Sequence, residues 1–281
     1  MTSLNLRPIA SSSSSSKSNQ KPIPSPSSLA PWDFSYSPSP DGHDKNLLIM
    51  FHGLGDSKIP FFNLGKQLNL PSTAILSLSA PDPIPLMDKP SFSWYKTFTS
   101  EFDLIPTENQ NPTIHLTKLR SLLIKLNSTE LGGWKLNEIH LFGFGQGSTI
   151  SLELCLFLNK NPIENQERFG SIISICGSLL SFQSEEQNQN NKLKTPLCFF
   201  TRYNSNSKIY KKQIMNLKRV FQEIIEIHAT SRNQNQEEGI EKMPENKEEW
   251  WEIMKFWGQI LNRKSDDQGW KGSGEVYEVI R

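Results

Sequence analysis

Short apolar runs alternate with longer segments of helical spacing along most of this chain. The stretch Asn46–Phe51 (NLLIMF) is apolar at every position after the first, which is typical of a strand buried on both faces. Ile114–Leu126 instead repeats its apolar residues at helical intervals. The same criteria predict strands over Thr73–Ser79, Glu138–Phe142, Ser171–Cys176, Pro196–Phe200 and Glu223–His228, and helices over Ile59–Leu68, Ser148–Leu158, Ser207–Phe221 and Glu248–Arg263.

This alternation predicts the α/β class. Strands that alternate with helices form a mostly parallel sheet, because each helix crosses back over the sheet and packs on one of its faces. We therefore expect a parallel sheet flanked by helices on both faces, with a long loop over residues 84–108. Ligands of such sheets bind at the carboxyl ends of the strands, so the loops that follow strands are the places to look for a site.

The two ends of the chain differ in composition from the part between them. Residues 1–31 are rich in Ser, Pro and Lys, and such a segment buries too little apolar surface to offset the entropy of ordering it. We predict a disordered tail there, a single domain over residues 33–262 and a C-terminal tail over residues 263–281. Residues 184–193 and 230–247, rich in Asn, Gln, Glu and Lys, are interpreted as surface insertions.

Overall composition excludes several classes of function. The chain has 30 basic and 29 acidic residues, so its net charge of +1 recruits neither nucleic acid nor an anionic membrane. Its 3 cysteines, Cys155, Cys176 and Cys198, lie in apolar runs and indicate buried reduced thiols. No Cys/His spacing typical of a zinc site occurs, so we expect no metal and no cofactor.

The sequence favours a cytoplasmic protein. No apolar stretch reaches the ~20 residues that span a bilayer, so we expect no integral membrane segment. The N-terminus also lacks the long apolar core of a secretory signal. It is serine-rich and has no acidic residue before Asp33, with Arg7, Lys17 and Lys21 as its only basic residues up to that point. A transit peptide is therefore the alternative interpretation of this end.

Two glycine-rich segments follow predicted strands. Gly143–Gly147 (GFGQG) has the outline of the Gly-x-Ser-x-Gly elbow, a tight strand-to-helix turn that presents a serine hydroxyl. Gly145 stands at the serine position, and a residue without a side chain cannot attack a carbonyl. His52–Asp56 (HGLGD) follows the strand at Asn46–Phe51, and its glycines permit a turn that aims a backbone N–H at an oxyanion.

These segments resemble one family. Met50–Asp56, Trp94-Tyr95 and Gly143–Ser148 are similar to segments of the acyl-protein thioesterase and carboxylesterase branch (the phospholipase/carboxylesterase family) of the α/β-hydrolases. The resemblance covers roughly residues 46–262, including a turn at Cys176-Gly177. It implies an α/β-hydrolase fold, hydrolysis of carboxylic esters or thioesters such as palmitoyl groups on protein cysteines, and an oxyanion hole made by the N–H groups of Leu54 and Gln146.

The departures from the family pattern concern all three members of the Ser-His-Asp triad. Gly145 replaces the serine. The stretch expected to hold the acid, residues 201–207, has no carboxylate, and Asn204 or Asn206 takes its place. The loop expected to hold the base, residues 239–246 (GIEKMPEN), has no histidine. We therefore assign no catalytic residue.

Other residues could line or complete the cleft. We name His52, Gly53, Trp94 and Tyr95 as ligand-cleft candidates, although His52 is better placed to order its loop and Trp94 serves equally well as a core residue. Three residues could replace the missing triad members: Ser148, which should point along its helix, Cys176, if its pKa is lowered, and His228, at a strand end.

Glycine suits the elbow, because the turn strains any residue that has a Cβ. The favoured hypothesis is therefore a catalytically impaired family member, a pseudoenzyme that binds an acyl chain or a lipidated protein. One alternative is an active hydrolase with a displaced nucleophile. The other is an interaction scaffold without a ligand cleft.

Overall fold

A computed structural model of the protein describes residues 5–8, 19–101, 103–181, 192–229, 241–262 and 277–280. The strands are β1 (Asn5–Pro8), β2 (Phe34–Ser37), β3 (Asn46–Phe51), β4 (Thr73–Leu78), β5 (Asp82–Pro83), β6 (Phe92–Ser93), β7 (Ile139–Phe144), β8 (Ser171–Ile175), β9 (Leu197–Thr201), β10 (Ile224–His228) and β11 (Tyr277–Ile280). The helices are α1 (Lys58–Leu68), α2 (Thr113–Leu126), α3 (Gln146–Lys160), α4 (Lys208–Val220) and α5 (Lys247–Ile260), with short 3₁₀ turns at Thr107–Asn109, Thr129–Leu131 and Leu136–Glu138.

A seven-stranded sheet in the order β10-β9-β8-β7-β3-β4-β2 forms the centre of the domain. Every neighbouring pair is parallel except β2 and β4, which run antiparallel at one edge. Met50 of β3 lies between Phe142 of β7 and Ser77 of β4, so the strands that precede the two glycine-rich loops are adjacent. The predicted mostly parallel sheet is confirmed.

The sheet has a hydrophobic core on each face. Alternate residues of β3 divide between them: Leu47, Ile49 and Phe51 pack in the core that includes α2, α3 and α4, and Leu48 and Met50 pack in the core that includes α1 and α5. This is the two-residue period of a strand buried on both sides. The predicted helices on both faces are therefore confirmed.

The aromatic residues of α5 supply part of the second core. Trp257 is fully buried, and its ring stacks on Phe142 of β7 at 6.0 Å between centroids. Full burial of such a side chain stabilises the fold by about 1.5–3 kcal/mol. Helix α5 is thus fixed against the sheet, and the loop that precedes it is held near the strand ends.

Most predicted elements occur within a few residues of their predicted bounds, but the sequence patterns missed five strands: β1, β2, β5, β6 and β11. Strand β2 (FSYS) alternates aromatic residues with serines, but it has only 4 residues, is half-buried along its length and lies among Ser and Pro residues, so this alternation is too short to mark a strand. The predicted loop over residues 84–108 contains β6, which pairs antiparallel with β5. Helix α3 begins at Gln146, directly after the elbow, rather than at Ser148.

The prediction of a disordered tail over residues 1–31 is wrong for residues 19–31. Leu29 is fully buried in the first core. Lys21 forms an ion pair with Glu138 at 2.9 Å, and its ammonium group lies 3.6 Å from the Trp134 ring centroid. These contacts join residues that are distant in sequence, and composition does not reveal them. Residues 9–18 lie outside the described residues.

The remaining terminal and insertion predictions are covered only in part. Strand β1 pairs antiparallel with β11, with Asn5 opposite Ile280, so two short segments of the predicted tails are joined. Residues 263–276 lie outside the described residues, as do 182–191 and 230–240 within the two predicted insertions. Leu193, at the end of the first insertion, bridges to Phe221.

Candidate functional site

The elbow is formed as its glycine spacing predicts. Strand β7 ends at Phe144, Gly145 adopts φ 50° and ψ −115°, and α3 begins at the next residue. The N–H of Gly145 donates to the Ile175 carbonyl at 2.9 Å, and the Gly145 carbonyl accepts from the Thr149 N–H at 3.1 Å. A positive φ of this kind costs a residue with a Cβ but not glycine, so Gly145 relaxes the turn without disrupting it.

Gly147 is required for a different reason, which is close packing of backbone. A Cβ on Gly147 would lie 2.3 Å from the Phe51 carbonyl oxygen. This contact brings the end of β3 directly against the start of α3. The loop after β3 and the elbow after β7 therefore meet at the carboxyl ends of adjacent parallel strands, where the sequence places the site.

A cleft of about 230 Å³ opens above the elbow. Residues of the two glycine-rich loops and of several other segments line it, among them Leu54, Tyr95, Gln146, Cys176, Arg202 and Glu241. At ~30 Å³ for each water of the liquid, the volume corresponds to roughly eight waters. This is enough for a carbonyl group and the first part of an acyl chain.

Two unused backbone donors lie at this cleft. Leu54 and Gln146 both line it, and no hydrogen bond to the backbone N–H of either residue is found within the described residues. The N–H of Gln146 is also one of the first donors of α3, whose helix dipole favours negative charge at that end. This geometry agrees with the oxyanion hole that the resemblance implies, and that role stays a prediction.

Of the four predicted cleft residues, Tyr95 lines the cleft, and His52, Gly53 and Trp94 do not. His52 and Trp94 are fully buried beneath the loop. The His52 Nδ1–H donates to the Gly53 carbonyl at 2.7 Å, and Nε2 accepts from the Ala80 N–H at 2.9 Å. Burial lowers the pKa of His52, so the ring is neutral and orders the loop rather than acting as a base.

Trp94 belongs to the core, where its Nε1–H donates to the His52 carbonyl at 2.8 Å and its ring packs against Phe51. The prediction that it lines a ligand groove is therefore wrong. The aromatic ring provides apolar contacts and an N–H donor that finds a buried acceptor, which explains why a tryptophan fits beneath this loop.

The side chain of Gln146 has a role that the sequence patterns did not reveal. Its Oε1 accepts from the Trp94 N–H at 2.7 Å, while its Nε2 donates to the Tyr95 carbonyl at 2.8 Å and to the Thr97 hydroxyl at 2.9 Å. Gln146 thus lines the cleft and also fixes the loop after β6 with its side-chain amide. These contacts explain why the Ser-Trp-Tyr segment and the elbow occur together.

Glu241 lies where the loop before α5 reaches the cleft. Its Oε2 is 2.7 Å from the position that a Cβ on Gly145 would take. The residue is open to solvent on one side, but its carboxyl end is partly enclosed, and this desolvation raises the pKa of the carboxyl. The sequence analysis expects a histidine in this loop and assigns no role to Glu241. The glutamate could have been found as the titratable side chain in the loop where the family pattern implies the base.

Arg202 holds that loop in place. It follows β9, in the stretch where the resemblance implies a catalytic acid, and it donates to the carbonyls of Lys242 at 3.2 Å and Met243 at 2.6 Å. Its guanidinium also pairs with both Glu249 oxygens, at 3.2 and 3.3 Å. In place of an acid that orients a histidine, the strand end thus carries a cation that anchors the loop of Glu241.

None of the three proposed substitutes is arranged for catalysis. Ser148 is fully buried, with its hydroxyl 2.5 Å from that of Ser174. Cys176 does line the cleft, but burial raises the pKa of its thiol to about 11. His228 is exposed, and its Nδ1 lies 3.2 Å from the Tyr203 carbonyl oxygen.

Two further features concern the described parts of the chain: metal sites and membrane-spanning helices. No group of three His, Cys, Asp or Glu residues there is arranged to hold a metal ion. Among the helices of those same parts, none combines the length and the apolar character needed to cross a bilayer.

Residues 37–229 match the sequence model of the phospholipase/carboxylesterase family. The chain belongs to this family. The family assignment confirms the predicted α/β-hydrolase fold. The matched range ends before Glu241, so the family pattern itself does not account for the residue that faces Gly145.

Two curated fungal relatives share about half of the chain. An uncharacterized hydrolase of Mycosarcoma maydis is 41% identical over 150 residues, which are 53% of this chain and 55% of the relative. An uncharacterized hydrolase of Schizosaccharomyces pombe is 32% identical over 147 residues, 50% of this chain and 56% of the relative. The chain thus spans about half the length of the curated relatives it matches.

Solved structures support the fold. Esterase PE8 superposes with a TM-score of 0.60 at 18% identity, over 82% of this chain and 99% of that one. Acyl-protein thioesterase 2 of Zea mays superposes with a TM-score of 0.52 at 17% identity, over the same shares of the two chains. At these identities the likeness shows the fold alone.

Proposed function

We propose that this protein binds the carbonyl group of an acyl ligand above Gly145 and does not form a serine acyl-enzyme. The observation that carries the proposal is the pair of unused N–H groups, on Leu54 and Gln146, that line a cleft beside a residue without a side chain. A carbonyl oxygen accepts two such donors, and the remaining volume takes the start of an acyl chain.

The natural ligand in this proposal is an acyl ester or thioester, either free or on a lipidated protein, and the expected site of action is the cytoplasm. The serine mechanism is lost because no hydroxyl oxygen is available to attack the carbonyl carbon. Gly145 has no side chain, and the Ser148 hydroxyl is buried against Ser174. Enzymes of this class that lose the nucleophile keep only ~10³–10⁴-fold acceleration from binding and the oxyanion hole.

Amide NMR with a non-hydrolysable ketone tests the binding. Titration with 2-octanone should shift the Leu54 and Gln146 amide resonances more than those of the buried strands, because these two N–H groups gain an acceptor. The variant Leu54→Pro removes one donor and should weaken the response, whereas Leu54→Ala keeps the N–H and should respond like the wild type. Circular dichroism of all three proteins checks folding.

Two outcomes would contradict this proposal. If neither amide shifts in folded wild-type protein, the cleft binds no carbonyl, as an interaction scaffold would predict. If a fluorophosphonate probe labels the wild-type protein covalently, a displaced serine nucleophile is present and active.

A further inference from the structure

The cleft contains a carboxylate that the fold does not use. Within the described residues, no hydrogen bond and no ion pair of the Glu241 side chain is found, and desolvation is the cause of its raised pKa. Its loop neighbours, in contrast, are engaged: the Lys242 and Met243 carbonyls accept from Arg202. The loop is therefore anchored by its backbone, while the glutamate side chain is left to face the elbow.

The carboxylate lies in the space that a side chain at residue 145 would need. Glu241 Oε2 is 2.7 Å from the Cβ point of Gly145, which is closer than a real Cβ and a carboxyl oxygen approach each other. The same cleft is lined by the donors at Leu54 and Gln146. A water molecule bound to Glu241 would thus stand beside a carbonyl group held by those donors.

We propose that Glu241 is a catalytic base that activates water for direct attack on the carbonyl carbon of a bound acyl ester. The inference rests on the proposed carbonyl binding and adds a reaction to it. The residue would replace both the serine and the histidine of the family, because water supplies the nucleophilic oxygen and the carboxylate takes its proton.

The reaction balances with water as the only co-reactant. The water oxygen forms a bond to the carbonyl carbon as one water proton passes to Glu241, and the carbonyl oxygen becomes an oxyanion held by the N–H groups of Leu54 and Gln146. The tetrahedral intermediate then expels the alkoxide or thiolate, which takes the proton back from Glu241. The products are a carboxylic acid and an alcohol or thiol, and no covalent enzyme intermediate forms.

The electrostatics of the cleft suit this role. Desolvation strengthens Glu241 as a base, and it is ionised once the pH exceeds its raised pKa. Three other titratable residues besides Arg202 line the cleft: Tyr95, Cys176 and Tyr203. Burial raises the pKa values of Tyr95 and Cys176, so both are neutral at pH 7. Arg202, the remaining charge, is paired with Glu249.

The test is hydrolysis of p-nitrophenyl octanoate by purified protein after fluorophosphonate treatment, which inactivates any contaminating serine hydrolase. Turnover should persist, with no burst of nitrophenol. The variant Glu241→Gln should lower kcat/KM at least tenfold, since removing a general base costs about 10²–10⁴-fold. Glu252→Gln, on α5 and outside the cleft lining, should match the wild type.

The pH dependence separates a base from a structural residue. The wild-type rate should rise with pH through the raised pKa of Glu241 and then level, and Glu241→Gln should lose this rise. Equal rates for wild type and Glu241→Gln, or a nitrophenol burst, would overturn the inference. Retained 2-octanone shifts without hydrolysis would overturn only the water activation, whereas absent shifts would overturn the carbonyl binding as well.

Discussion

The Oε2 atom of Glu241 lies 2.7 Å from the point where a Cβ on Gly145 would stand. A side chain at residue 145 would clash with the Glu241 carboxyl group at that distance, so the two cannot occupy these positions together. The missing serine and the carboxylate are therefore parts of one arrangement: glycine leaves a space, and the loop before α5 places a carboxyl group in it.

Restoring the family residue at the elbow should not restore the family reaction. We expect Gly145→Ser to give no burst of acyl-enzyme, because both candidate histidines are engaged in other hydrogen bonds. His52 bonds to the Gly53 carbonyl and the Ala80 N–H, and His228 lies against the Tyr203 carbonyl. The variant should also lose about 1–3 kcal/mol of unfolding free energy from its positive φ. Burst kinetics and urea unfolding measure the two effects.

Gly145→Ala is the matched control for that variant, since it has the same backbone strain and no hydroxyl. Its stability should fall as in Gly145→Ser, and its added methyl group should displace Glu241 and slow the water-dependent hydrolysis. Rapid acyl-enzyme formation by Gly145→Ser would mean that a base capable of activating the serine is present.

The buried pair of Arg202 and Glu249 should contribute strongly to stability. Their side chains are only 9% and 2% exposed, so removing one partner leaves the other charge uncompensated. We expect Arg202→Met to lower the unfolding free energy by about 3–5 kcal/mol, and a double-mutant cycle with Glu249→Gln to show strong coupling. Denaturant unfolding measures the cycle.

The exposed pair of Lys255 and Glu252 provides the comparison for that cycle. It lies on the same helix as Glu249, with side chains 58% and 47% exposed, and its coupling should not exceed about 1 kcal/mol. Similar small values for both pairs would show that Arg202 is not an anchor of the Glu241 loop.

The thiol of Cys176 should react slowly. Burial raises its pKa from 9.0 to about 11, which lowers the thiolate fraction at neutral pH roughly 100-fold below that of an ordinary thiol. Iodoacetamide alkylation, followed by mass spectrometry, should therefore be slow at pH 7.5 and accelerate as the pH approaches 11. All three cysteines should alkylate rapidly in denaturant. Fast alkylation of Cys176 in the folded protein would contradict this prediction and would show that its thiol is a reactive nucleophile.

His140 should make the fold less stable in mild acid. It is buried between Ser171 and Asn46, and burial, helped by the charge of Arg168, lowers its pKa from 6.5 to about 3. Between these values the unfolded chain binds a proton that the folded protein does not, so the unfolding free energy falls as pH decreases below 6.5. The loss is at most about 1.4 kcal/mol per pH unit.

The difference between wild type and His140→Gln isolates this contribution, because the carboxylates titrate in both proteins. The stability advantage of the wild type should shrink as the pH is lowered from 6.5 to 5. Parallel stability curves over this range would show that His140 does not titrate on unfolding.

The sequence by itself determined the order of the parallel strands and of the helices, and it placed the candidate site at the ends of β3 and β7. Continuous apolar runs such as β3 and helical spacing such as that of α2 report burial on both faces of a sheet or on one face of a helix, and both are local properties. The glycine spacing at residues 143–147 is also local, because close backbone packing and positive φ each require glycine at a particular position.

Only the tertiary structure decided which side chains meet at the cleft. It placed His52 and Trp94 in the core, packed Leu29 into the domain, and joined Gln146 to the loop after β6. It also brought Glu241 to Gly145 from a loop whose position depends on Arg202 and on the packing of α5. Such contacts join segments far apart in sequence, and no periodic pattern of apolar residues encodes them.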